Sequence, residues 1–138
     1  MYRYVCQDAE TVVRMNYVRC PGLSMKILIV DDNATIRRLI RHAVREIAEE
    51  IRECTDGNLA LSAYADFQPD IVLMDIRMPG TDGLIATRQL KGKYPSARIF
   101  IVTDYDDDEM RNAARDAGAS GYALKQNLTS LDHLIFGQ

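Results

Sequence analysis

Five side chains in this sequence could act together on a phosphoryl group: the carboxylates of Asp31, Asp32 and Asp75, the hydroxyl of Thr103 and the ammonium of Lys125. Each has a plain alternative explanation. Aspartate after a strand commonly caps the next helix, threonine suits a strand end, and a lysine there is usually solvated. Their shared placement is what marks them, because each ends or directly follows a short apolar run, at residues 27–30, 71–74, 99–102 and 122–124. Two carboxylates about 4 Å apart repel by about 4 kcal/mol at an effective dielectric of about 20, so three held together call for a divalent cation. An oxygen-lined site with few protein ligands suits Mg²⁺, which keeps several waters and bridges carboxylate to phosphate oxygens. Asp75 is the candidate nucleophile, giving an acyl phosphate. Thr103 and Lys125 would contact the new phosphoryl oxygens.

The elements that must position this set follow from the apolar pattern. From Met25 onward, short apolar runs alternate with longer segments of helical period, the signature of βαβ units and a parallel sheet. Near-continuous apolar strands are buried on both faces. Ile36, Leu39, Ile40, Ala43, Val44 and Ile47 trace one amphipathic helix, and further helices are predicted over 58–65, 84–91, 107–117 and 128–136, with Gly118 as a C-terminal cap. A strand at 51–54 alternates apolar with charged residues, as an exposed edge does, and turns at Asp56-Gly57. Five strands and five helices result. In open sheets of this kind the functional crevice lies beyond the carboxyl ends of the strands, where the five side chains fall.

Composition excludes several classes of function. The chain has 138 residues, 47% of them hydrophobic, enough for one core, and a net charge of −3, which gives no basic stripe for nucleic acid or anionic lipid. No apolar run approaches the roughly 18 residues of a membrane span. Cys6, Cys20 and Cys54 form neither metal pairs nor a disulfide framework and are expected to be reduced thiols. A boundary falls near Ser24, separating residues 1–24 from a domain at 25–138. The first segment reads as an upstream extension or a misassigned start, with a short amphipathic helix suggested by Ala9, Val12, Val13 and Tyr17 or else no order. His42 and His133 have no metal-ligand company and read as surface residues.

The stretches Ile29-Val30-Asp31-Asp32-Asn33, Asp75-Ile76-Arg77-Met78-Pro79-Gly80, Ile101-Val102-Thr103 and Tyr122-Ala123-Leu124-Lys125 resemble the receiver domains of bacterial two-component response regulators. The resemblance covers Met25 to about Phe136. It implies an α/β, flavodoxin-like, doubly wound five-stranded parallel sheet in the order 2-1-3-4-5. It also implies phosphoryl transfer from a histidine kinase or phosphotransfer protein to Asp75, with Mg²⁺ held by Asp32, Asp75 and the Arg77 backbone carbonyl and Asp31 acting through water. Thr103 and Tyr122 would form the switch. That switch would alter a face built from the fourth helix, fifth strand and fifth helix, near Arg111, Arg115, Gln126 and Leu131, which would meet a downstream protein or a second phosphorylated copy. Such a domain is a cytoplasmic signalling module that promotes only its own phosphorylation and dephosphorylation, with no direct contact to nucleic acid or membrane.

Two departures stand out. The residue after the switch hydroxyl is usually small and here is Asp104, whose charge would hinder an incoming dianionic donor. Proline commonly follows the lysine and here is Gln126, so a trans bond is expected. The segment Gly118 to Lys125 looks most like receivers that precede LuxR-type helix-turn-helix domains, so the chain reads as a stand-alone receiver or as a fragment of a DNA-binding regulator. A constitutive protein-binding module is another alternative. A Mg²⁺-dependent phosphohydrolase fits less well, because Asp75-Ile76-Arg77 replaces the Asp-x-Asp of a dehalogenase-type nucleophile and no cap domain is evident. The acidic run Asp104, Asp106, Asp107, Asp108 and Glu109 reads first as a helix N-terminus and only second as a partner surface.

Overall fold

The computed structural model describes residues 2–5, 16–19 and 25–136. Tyr2–Val5 and Asn16–Arg19 pair antiparallel, with Tyr4 opposite Tyr17. Of the helical expectation for residues 9–17, positions 9–15 lie outside the described residues, while Tyr17 belongs to this strand pair.

The remainder alternates strand and helix: β1 (Lys26–Val30), α1 (Ala34–Ala43), β2 (Glu50–Cys54), α2 (Gly57–Phe67), β3 (Ile71–Met74), α3 (Gly83–Lys93), β4 (Ile99–Thr103), α4 (Asp108–Ala117), β5 (Gly121–Leu124) and α5 (Leu131–Phe136). The five strands are parallel in the order β2-β1-β3-β4-β5, the doubly wound arrangement expected. Period-two alternation splits each central strand between two cores. Leu28, Val30, Val72, Met74, Ile99 and Ile101 pack with Phe67, Leu90 and Ala114 of α2, α3 and α4. Ile27, Ile29, Ile71, Leu73, Phe100 and Val102 pack on the other face with Ile40 of α1, Val44 just beyond it, and Leu131 and Ile135 of α5. Both faces are covered, so the strands read as unbroken apolar runs.

Local signals set the helix ends. Asn33, Asp56, Asp82 and Asp107 each cap a helix by accepting a backbone N–H, and Gly118 closes α4 in the left-handed region at φ +103. Asp56-Gly57 is therefore a cap and first helical residue rather than a free turn. The acidic run sorts as its first reading expects, with Asp107 as cap, Asp108 and Glu109 in the first turn, and Asp106 paired with Arg111 at 2.7 Å.

Two helices differ from expectation. The stripe through Ile47 outlasts α1, which ends at Ala43; Val44 and Ile47 remain buried beyond it, whereas Leu39 is half exposed. The last helix does not run unbroken over 128–136. Lys125–Ser130 forms tight helical turns interrupted at Asn127 (φ −131, ψ 43), and α5 begins at Leu131.

Gly83 lets α3 start directly against the loop after β3. Its N–H donates to the Ile76 carbonyl at 2.7 Å, and a Cβ there would lie 1.7 Å from the Asp75 carbonyl oxygen. Gly83→Ala is expected to cost about 2–3 kcal/mol through overpacking against backbone. Gly92→Ala, in the same helix with nothing within 4 Å, should instead stabilise by about 0.5–1 kcal/mol. Urea denaturation of the two variants gives the comparison; equal effects would contradict the close approach.

Candidate functional site

The strand ends bring Asp31, Asp32, Asp75 and Lys125 together, with Thr103 closing the neighbouring strand. Backbone bonds fix the first two carboxylates in register, with the Asp31 N–H donating to the Cys54 carbonyl at 3.1 Å and the Asp75 N–H to that of Val30 at 2.9 Å. Asp31 is 1% exposed and Asp75 5%, whereas Asp32 is exposed. Asp31 Oδ1 accepts the Asn33 N–H at 2.8 Å, and Asp75 Oδ1 accepts that of Ile76 at 2.8 Å.

Lys125 arrives from the far edge of the sheet. Its Nζ lies 3.1 Å from Asp31 Oδ2 and 3.2 Å from Asp75 Oδ2. Burial opposes charge on this ammonium, but the Asp75 and Asp31 carboxylates outweigh it and hold the lysine above its usual range. One cation does not balance two buried carboxylates. Burial, reinforced by the charge of Asp31, pushes Asp75 up from 3.8 to about 6, against the opposing pull of Lys125 and the Ile76 amide.

The donor set fits a divalent cation. Asp31, Asp32 and Asp75 each offer an oxygen within 4.8 Å of the others. Asp31 Oδ2, although ion-paired with Lys125, has no aligned hydrogen bond among the described residues. A buried carboxylate oxygen with spare capacity beside two further carboxylates is what a hard, oxygen-seeking ion needs.

Thr103 is fully buried at the end of β4, and its Oγ1 accepts the Tyr105 N–H at 3.3 Å. Tyr122, half buried on β5, donates its hydroxyl to the Tyr105 carbonyl at 2.5 Å, and the Arg111 guanidinium lies 4.6 Å from its ring centre. The expected switch pair is thus joined through one intervening residue. Asp104 is exposed beside Thr103, and Arg77 is exposed beyond Asp75. Arg111 and Arg115 flank a cavity of about 220 Å³ floored by Ala119, Ser120 and Gly121, while Gln126 is exposed and Leu131 is buried in the core. Leu131 therefore does not belong to a partner-facing surface, because it anchors α5 to the sheet. The described peptide bonds are trans, Lys125–Gln126 included.

Two positioning residues went unnoticed in the sequence. Arg37 donates to the Asp31 carbonyl at 2.8 Å while pairing with Glu53 at 2.7 Å, bracing the acidic turn from α1. Tyr105 is the other. Arg37 stands one helical turn after the Asn33 cap, a spacing that could have flagged it; nothing comparable marks Tyr105.

A parallel sheet in this order with an acidic crevice at its carboxyl edge is a doubly wound α/β domain with its candidate site where such sheets bind their ligands. Residues 27–135 match the response regulator receiver domain, and the chain belongs to that family. It is 36% identical over 103 residues to the chemotaxis protein CheY of Halobacterium salinarum, covering 75% of this chain and 86% of that protein. It is 38% identical over 104 residues to the oxygen regulatory protein NreC of Staphylococcus haemolyticus, covering 73% and 48%. The chain thus spans most of one relative and about half of the other. A two-component response regulator of the LuxR family from an Aurantimonas species superposes with a TM-score of 0.78 at 32% identity, over 83% of this chain and 84% of that one. A CheY-like receiver from Methanospirillum hungatei shares the fold with a TM-score of 0.74. Among the described residues, no helix is long and apolar enough to cross a membrane.

Proposed function

We propose that this receiver accepts a phosphoryl group on Asp75 from a histidine kinase or phosphotransfer protein and thereby switches a protein-binding surface. The observation that carries this is the buried Asp75 carboxylate, held by Lys125 beside Asp31 and Asp32 and next to the Thr103 strand end. A carboxylate oxygen of Asp75 attacks the phosphorus, the donor's bond to phosphorus breaks, and an acyl phosphate results. Lys125 offsets the added charge, and Thr103 turns its hydroxyl from the Tyr105 amide toward a phosphoryl oxygen. A bound Mg²⁺ would supply charge neutralisation between carboxylates and phosphoryl oxygens; Asp32, Asp75 and the Arg77 carbonyl would hold it, with Asp31 acting through water.

Because Tyr122 is bonded to the residue that also holds Thr103, a change at Thr103 reaches the face around Arg111, Arg115 and Gln126. The protein changes only its own aspartate, so we read it as a signalling module rather than an enzyme with a free substrate. The half-length match to a regulatory protein supports a second reading, the receiver portion of a longer regulator.

Intact-mass analysis with acetyl phosphate tests the assignment. One phosphoryl mass should be gained in Mg²⁺ and should be absent in Asp75→Asn, which lacks the nucleophile, and strongly reduced in chelator, which removes the metal. Labelling indifferent to both changes would sink the assignment.

A further inference from the structure

We propose that Asn58, in the first turn of α2, is a positioning residue for the divalent cation: with Thr81 it latches the loop after β3 and holds the Arg77 carbonyl in its binding orientation before the ion arrives, an inference that rests on the metal set of the reading above. The loop runs over residues 76–82, between β3 and α3. Its base is closed by the Gly83 N–H, which donates to the Ile76 carbonyl at 2.7 Å. Its tip is held by α2. The Thr81 hydroxyl donates to Asn58 Oδ1. A Cβ on Gly80 would collide with Asn58 Nδ2, and a Cβ on Gly57 would collide with the Thr81 carbonyl, so tip and helix lie backbone against backbone. Gly80 takes the left-handed region at φ +76 that glycine favours.

Between Arg77 and this tip stand Met78 and Pro79. Proline fixes its own φ and restricts its predecessor, and the Met78 side chain packs against the core, so few free torsions separate the Arg77 carbonyl from the latch. The same piece of chain braces the other side of the crevice, because the Cys54 carbonyl, which accepts the Asp31 N–H at 3.1 Å, closes the strand that leads into α2. Asn58 is exposed and Thr81 half buried, so either can be replaced without disturbing the core.

The effect on the ion is one of preorganisation. Latched, the metal-free loop stays in the binding orientation; unlatched, it divides its time among several, and the apparent Kd rises by the inverse of the competent fraction. One hydrogen bond of ordinary net strength changes such a population by about three- to tenfold. Saturating Mg²⁺ draws the loop back to the binding orientation in every variant, so the chemistry at Asp75 is then restored.

The test is calorimetric titration of the metal-stripped full chain with Mg²⁺ alone, which reads the Kd without any phosphoryl chemistry. Asn58→Ala and Thr81→Val should each raise it by about three- to tenfold, and the double variant should be no weaker than the weaker single one. Thr81→Ser, which keeps the hydroxyl, should stay close to wild type. Val44→Ala, a core truncation just beyond α1, should lower the urea midpoint and leave the Kd unchanged, which separates positioning from general loss of stability. With acetyl phosphate, Asn58→Ala should need about three- to tenfold more Mg²⁺ for half-maximal uptake and reach the wild-type rate at saturation. An unchanged Kd in both single variants, additive losses in the double one, Thr81→Ser behaving like valine, or an equal rise in Val44→Ala overturns the latch. A wild-type chain that binds no Mg²⁺ brings down the metal set and the latch with it; one that binds Mg²⁺ and shows the expected series but takes up no phosphoryl group brings down the phosphoacceptor reading alone.

Discussion

Replacing Lys125 with methionine is expected to destabilise the metal-free domain by about 3–5 kcal/mol near neutral pH, the range for breaking a buried ion pair from one side. Methionine fills a similar volume, so the loss isolates the charge. Lys125 Nζ is the cation in contact with both Asp31 and Asp75, and without it two buried carboxylates face each other. The effect has a defined pH dependence. The lysine's folded-state pKa lies above its ordinary 10.5, so its stabilisation is present below that value and disappears as pH rises through the folded pKa. In Lys125→Met the carboxylates escape repulsion by taking up a proton, so the deficit should shrink on acidification. Urea denaturation in chelator at about pH 8 and about pH 5 measures the deficit and its shrinkage as the carboxylates take up a proton. A loss under about 0.5 kcal/mol at the higher pH would mean that solvent, and not Lys125, screens the pair.

Asp75→Asn should have the opposite sign. The folded-state pKa of Asp75 is raised from 3.8 to about 6, so the ionised form is a liability to the fold above that pH and none below 3.8, where folded and unfolded states both hold the proton. The gap corresponds to about 3 kcal/mol. Asparagine removes the charge at nearly the same shape, so the metal-free variant should exceed the wild type by about 2–3 kcal/mol near pH 8 and converge with it near pH 4. Thermal and urea denaturation across that window give the difference curve. A variant no more stable than wild type at the upper end would show that Asp75 is not strained by its surroundings. The same substitution that abolishes the proposed acceptor is thus expected to make a sturdier protein, as befits a site whose charge is held against its cost.

The central fold was legible because each signal was local. Short unbroken apolar runs alternating with helical segments read as strands covered on both faces, and residue type placed Asp107 and Gly118 at the ends of one helix. The clustering of Asp31, Asp32, Asp75 and Lys125 was legible because topology places strand ends together, which grouped them without distances. What stayed hidden depends on where one element meets another. Nothing in the stripe from Ile36 to Ile47 shows that α1 stops at Ala43, since Val44 and Ile47 are buried by the sheet whether or not they are helical. Leu131 was taken for surface because helical period does not reveal which face of a short terminal helix meets the sheet. Tyr105 sits in a loop among acidic residues, where only its bonds to Thr103 and Tyr122 give it a role.

Lys125 belongs to the last strand edge of the receiver, after β5, whereas Asp31 and Asp75 close strands made much earlier. A chain emerging from the ribosome therefore exposes β1, β3 and β4 before the ammonium that reconciles their carboxylates exists. Burying Asp31 and Asp75 is therefore costlier before that edge is delivered than after it.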